Sequence, residues 1–186
     1  MSAERRGAFL LVEEVREALA GRARRGILPR TVDQRRREND IKLRLALRAG
    51  HIGVWDWSLE TNEMEYSARA RAICGFAPDT PVTFEMARQV THPEDYPRTS
   101  ALAKRALDPA IREKTPFEYR IIRADNGETR WVIAHGEALF AQSGSGQVAT
   151  RYIGTIQDIT ERKLAEQALR ESELRQRLAI EAARMA

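Results

Sequence analysis

The spacing of apolar residues changes period twice along this chain, and those changes confine it to a mixed α and β fold. Ile41, Leu43, Leu45, Ala46, Leu47 and Ala49 follow a helical pattern that stops at Gly50. From Val54 the period becomes two. Trp55, Trp57 and Leu59 share one face of a strand, Met64 and Tyr66 share one face of the next, and Thr61-Asn62 turns the chain between them. Strands return at Phe117, where Phe117, Tyr119 and Ile121 alternate with Glu118 and Arg120. Arg130 to Phe140 and Val148 to Ile156 complete the set, joined by Asp125-Asn126-Gly127 and by Ser143-Gly144-Ser145-Gly146. From Thr160 the helical period resumes and lasts through Arg184. Strands gathered into hairpins on either side of helices predict an α+β domain, with an antiparallel sheet covered by helices on one face.

Capping signals divide the central helical stretch. Ser67 caps a helix from Ala68 to Cys74, with Gly75 as its stop. Thr83 caps a second through Val90. Thr91-His92-Pro93-Glu94 has capping-box spacing with an early Pro, so a third helix is expected to follow it to about Leu107, before Pro109. Ahead of all this, Phe9, Leu10, Leu11, Val12, Val15 and Leu19 predict a first helix ended by Gly21 and Gly26-Ile27-Leu28-Pro29. The organisation read from these patterns is an N-terminal helix and charged linker (1–40), a central domain (41–160) and a C-terminal helix (161–186).

Charge and composition exclude several classes of function. The pI is about 9.6, which invites a nucleic-acid reading, but the excess sits outside the central domain. Residues 1–40 hold ten Lys and Arg against seven acids, whereas residues 41–160 hold fifteen of each. No basic stripe interleaved with aromatics appears, so nucleic acid is not an expected partner. The Ala8–Val12 run is far shorter than the ~20 apolar residues of a membrane span and is followed at once by Glu13 and Glu14. With a single cysteine, Cys74, the expected compartment is the reducing cytoplasm. His51, His92 and His135 show no metal-ligand spacing with one another or with Cys74. There is no Gly-rich phosphate loop and no nucleophile constellation around Ser143 or Ser145, so no catalysis is expected within these residues.

Four segments, in order, resemble a PAS domain with its C-terminal PAC part. They are Ala49-Gly50-His51-Ile52-Gly53-Val54-Trp55-Asp56-Trp57; His92-Pro93-Glu94-Asp95; Phe117 to Asp125 with Arg130-Trp131-Val132; and Gly154-Thr155-Ile156-Gln157-Asp158-Ile159-Thr160-Glu161-Arg162-Lys163. The resemblance covers about residues 41–160. It implies a five-stranded antiparallel sheet cradling helices, with a pocket between them. Trp55, Trp57, Tyr66, Phe76, Phe84, Phe117 and Tyr119 are the residues that would line such a pocket, or fill an ordinary core. Flavin-photoreceptor members carry a reactive Cys in an Asn-Cys-Arg-Phe-Leu motif, but Met86 to Asp95 contains no Cys; they also carry a Gln where Ile156 stands. Haem-binding members use a His on the long inner helix, and Asp95 to Leu107 contains none. The expectation is a colourless protein with no such cofactor, compatible with a non-covalent flavin or a small apolar or acidic metabolite.

The resemblance implies that Asp158-Ile159-Thr160 joins the last strand to a signalling helix. Asp158 and Glu161 have capping-box spacing. The helix beyond shows Leu164, Ala165, Ala168, Leu169, Leu174 and Leu178, a broad apolar face with an imperfect heptad. Two copies side by side would bury it, so a homodimer through the flanking helices is expected. Arg44 to Ile52 also resembles Arg177 to Met185 at an offset of 133 residues, suggesting that a second, tandem domain begins at the end of the chain. The expected function is the sensory and dimerisation module of a signal-transduction protein, with a sensor histidine kinase as its parent. A cyclic-dinucleotide enzyme or a free-standing adaptor are the alternatives.

Overall fold

The computed structural model describes residues 31–144 and 146–185. The expected helix from Phe9 to Leu19 lies outside them. Cα proximity divides the chain into Met1–Leu45 and Ala46–Ala186.

In the first unit the described residues begin a helix, α1 (Val32–Ala49). Thr31 and Gln34 cap it reciprocally: the Gln34 amide donates to the Thr31 hydroxyl at 3.2 Å, and the Thr31 amide donates to Gln34 Oε1 at 3.0 Å. The charged stretch before Ile41 is thus the start of the helix. No residue of α1 is buried.

In the second unit α1 ends in a Schellman turn. The Ile52 amide donates to the Leu47 carbonyl and the His51 amide to the Arg48 carbonyl. His51, not Gly50, takes the left-handed conformation, at φ 51°. Then come β1 (Gly53–Ser58), β2 (Glu63–Tyr66), α2 (Ala68–Cys74), β3 (Val82–Thr83), α3 (Phe84–Val90), α4 (Tyr96–Leu107), β4 (Phe117–Ile122), β5 (Thr129–Ser143), β6 (Gly146–Asp158) and α5 (Thr160–Met185). The sheet is antiparallel with spatial order β3-β2-β1-β6-β5-β4. It has six strands, not the expected five. The extra one, β3, is two residues long, too short to show an alternation.

Ser67 and Thr83 cap α2 and α3 through their hydroxyls, and Gly75 ends α2 at φ 75°. The expected capping box at Thr91 does not form. The Thr91 hydroxyl donates instead to the Ala87 carbonyl, and its backbone bridges to Ile121. That ties Thr91 to the end of α3 and the edge of the sheet, and α4 begins only after Asp95.

The core lies on one face of the sheet, where Ala70, Ile73 and Cys74 of α2 meet Ile121, Val132 and Ile156. Close packing there requires two glycines on neighbouring strands. A side chain at Gly154 would collide with the Trp55 indole and the His135 carbonyl, and one at Gly136 would collide with the Tyr152 ring. The outer edge of β4 is occupied by the segment before α4 and by the first turn of α4. The His92 amide donates to the Arg120 carbonyl, the Arg120 amide to Asp95, and the Arg98 guanidinium to the Glu118 carbonyl.

Candidate functional site

Strand alternation turns Trp55 and Trp57 of β1, Tyr66 of β2, Phe117 and Tyr119 of β4 and Tyr152 of β6 toward α3 and α4. Between them lies a cavity of about 300 Å³, at the small end of the range for ligand sites. Of the residues expected to line a pocket, Trp55, Trp57, Tyr66, Phe84, Phe117 and Tyr119 do so. Phe76 does not: it is 8% exposed in the core, edge-on to Tyr66 at 5.8 Å. Trp57 stacks on Phe84 at 4.6 Å and Phe117 on Tyr119 at 5.4 Å, giving the cavity flat aromatic walls. Trp55 meets Tyr152 edge-on at 4.9 Å.

Several lining residues escaped the reading of the sequence. Tyr152 belongs to the alternation Tyr152, Gly154, Ile156, which was legible but overshadowed by the tryptophans. Cys74, Tyr96, Ser100 and Lys104 reach the cavity only because α2 and α4 pack across the sheet. Among the described residues no Asp, Glu, His, Asn or Gln lines it. Burial pushes the Cys74 thiol up to about 12 and raises the Tyr66 and Tyr119 hydroxyls, so all three stay protonated at neutral pH. Among the described residues no group of three His, Cys, Asp or Glu side chains is placed to hold a metal ion.

The opposite face of the sheet carries charge. Arg120 donates twice to Asp95, at 2.9 and 3.0 Å, and once to Glu94 at 2.9 Å. These bonds hold the Asp95 carboxyl down at about 2. Beside Arg120, Glu118 pairs with Arg162 at 2.6 Å and Lys163 at 2.5 Å, both in the first turn of α5. The Trp131 ring lies between the two clusters, with Arg120 at 5.7 Å and Lys163 at 5.4 Å. Spacing could not reveal this network, because its partners are far apart in sequence.

Asp158 ends β6, and its Oδ1 accepts the Thr160 amide at 2.9 Å while Oδ2 faces Arg130 at 3.4 Å. The Ile159 amide donates to the Trp131 carbonyl, and the Thr160 hydroxyl accepts the Trp131 amide at 3.0 Å. Each residue of the Asp158-Ile159-Thr160 junction is thus bonded to the start of β5, to its own helix, or to both. Beyond it Leu164, Leu169, Leu174, Leu178 and Ile180 of α5 are all more than half exposed. No helix among the described residues is long and apolar enough to cross a membrane.

Comparison with known proteins accounts for this arrangement. The PAS fold family matches residues 63–156. A solved sensory box histidine kinase/response regulator from Burkholderia thailandensis is 32% identical, with a TM-score of 0.59, over 73% of this chain and 98% of that one. The solved N-terminal domain of a diguanylate cyclase with PAS/PAC sensor from Marinobacter aquaeolei shares the fold at 18% identity and a TM-score of 0.51, over 60% of this chain and 98% of that one. A blue-light-activated histidine kinase of Brucella abortus (strain 2308) is 34% identical over 116 residues, 62% of this chain. The chain spans 22% of the length of that relative. The sheet, the cavity between it and the helices, and these matches agree: the chain belongs to the PAS family.

Proposed function

We propose that residues 41–160 bind a small non-covalent ligand in the cavity, and that α5 passes the resulting change to a histidine kinase output as part of a homodimer in the cytoplasm. The observation that carries this reading is the position of β4. Tyr119 lines the cavity, while Glu118, the residue before it, holds the first turn of α5. A shift of the strand under a ligand therefore moves the anchor of the helix. Asp158, Ile159 and Thr160 form the joint about which α5 would turn. Its exposed leucines supply an apolar face that a second copy would cover.

The kinase output rests on the histidine kinases among the relatives. The diguanylate cyclase, at 18% identity, shares the fold alone and does not favour the cyclic-dinucleotide alternative. Blue-light activation belongs to the Brucella protein; in this chain the Cys74 thiol lines the cavity from the end of α2. Sedimentation equilibrium tests the dimer. The full chain should self-associate at micromolar concentration, and deletion of residues 164–186 should weaken or abolish association. A full chain that stays monomeric at high micromolar concentration, or a truncated one that dimerises as tightly, removes α5 from the mechanism.

A further inference from the structure

The turn between β4 and β5 carries a chemistry that neither the cavity nor α5 uses. An asparagine followed by glycine sheds its side-chain amide without an enzyme, because no Cβ shields the next backbone nitrogen. The chain has three asparagines, Asn39, Asn62 and Asn126, and only Asn126 precedes a glycine. Asn126 and Gly127 are both exposed, and the space beside the Gly127 Cα is open. Asn39 precedes Asp40 inside α1, and Asn62 precedes Glu63 and accepts the Trp57 indole N–H at 3.1 Å. In the closed turn both reacting groups of Asn126-Gly127 are engaged. The Gly127 amide donates to the Arg123 carbonyl at 2.9 Å, and Asn126 Oδ1 accepts the Glu128 amide at 2.9 Å. The first bond keeps the proton on the nitrogen that would attack, and the second holds the side chain against Glu128. The turn is also fastened to the end of α2. The Ala124 amide donates to the Cys74 carbonyl, and Arg123 donates to the Ala72 and Ile73 carbonyls.

We propose that Asn126 is a site of spontaneous deamidation that the closed turn holds off, so that isoaspartate at this position records how often the turn opens. On opening, the Gly127 nitrogen gives its proton to a solvent base and bonds to Asn126 Cγ. The Cγ–Nδ2 bond breaks, Nδ2 takes a proton from water, and ammonia leaves. Water then opens the five-membered succinimide at either carbonyl, to aspartate or to isoaspartate, and no oxidant or cofactor is consumed. Isoaspartate adds a methylene to the main chain and sets a new carboxylate between Asp125 and Glu128. The bond from Gly127 to Arg123 cannot then reform in its old register, and the ties from Arg123 and Ala124 to α2 loosen with it. This inference does not depend on what the cavity binds.

The test incubates the full chain at neutral pH, folded and in guanidinium chloride, and follows each asparagine-containing peptide by mass spectrometry. Enzymatic methylation counts the isoaspartate formed. In denaturant Asn126 should convert roughly tenfold or more faster than Asn39 and Asn62, since only its neighbour lacks a side chain. In the folded chain Asn126 should convert roughly tenfold or more slowly than in denaturant, because reaction waits on local opening. Conversion in denaturant no faster than at the other two asparagines would overturn the site. Equal rates at Asn126 in the folded and unfolded chain would overturn the protection by the turn. Folded chain aged until Asn126 is largely converted should exchange the Ala124 amide faster than fresh chain; unchanged exchange there would overturn the link from the turn to α2.

Discussion

Along β4 neighbouring side chains live in different media. Phe117, Tyr119 and Ile121 face the cavity and core, among aromatic rings and neutral hydroxyls. Glu118 and Arg120 face the other way, among Asp95, Trp131, Arg162 and Lys163. The two faces of one strand thus separate what can hold a ligand from what holds α5. The inner face has packing energy and few charges; the outer face has many charges, each worth little alone. Changes to the inner face should therefore act on folding, and changes to the outer face on coupling.

The largest expected effect tests the inner face. Trp55→Ala removes an indole packed over Gly154 and against Tyr152, and it should cost about 3–5 kcal/mol. A thermal midpoint within a few degrees of wild type would show that the inner face does not carry the fold. Next comes the one outer-face pair that is largely buried. Asp95→Asn should cost roughly 2 kcal/mol, since charge-assisted bonds to Arg120 are lost. The Asp95 carboxyl titrates near 2 in the folded chain, below the ~3.9 of an unfolded Asp. Its contribution is therefore complete above about pH 4 and is lost as the pH falls through about 2. Denaturant midpoints measured from pH 5 to 2 should fall less steeply in Asp95→Asn than in wild type; parallel curves would show that Asp95 is not the group responsible.

Smaller effects are expected at the start of α5. Asp158→Ala removes the acceptor of the Thr160 amide and should cost about 0.5–2 kcal/mol, read from urea unfolding. Glu118→Gln should cost only about 0.5 kcal/mol, because Arg162 is exposed and Glu118 and Lys163 both keep contact with solvent. It should nonetheless speed hydrogen exchange at the Lys163 amide, which bonds to the Ile159 carbonyl. Unchanged exchange there would break the distinction between a folding face and a coupling face.

What the sequence made legible follows the range of each interaction. The hairpins and the caps at Ser67, Thr83 and Gly75 depend on residues a few positions apart, and all form as read. Thr91 has the right local pattern for a cap, but a bridge to Ile121 overrides it. The cavity walls were legible as alternating aromatics, and the side chains that α2 and α4 bring across the sheet were not. Phe76 turns to the core and Phe84 to the cavity, and nothing in the local pattern of either distinguishes them. The Asp95–Arg120 bond links residues from a helix start and a strand that only the folded sheet brings together.

The segment from His92 to Arg98 has a further consequence for life in a crowded cell. A strand at the border of a sheet exposes amides and carbonyls that invite pairing with any passing chain. On β4 three of those groups, the Arg120 amide and the Arg120 and Glu118 carbonyls, are engaged by Asp95, His92 and Arg98. Anything that pulls this segment away would bare an aromatic-rich border strand, Phe117-Glu118-Tyr119-Arg120-Ile121-Ile122, to its neighbours. The stretch from His92 into the first turn of α4 therefore also hinders edge-to-edge pairing at β4.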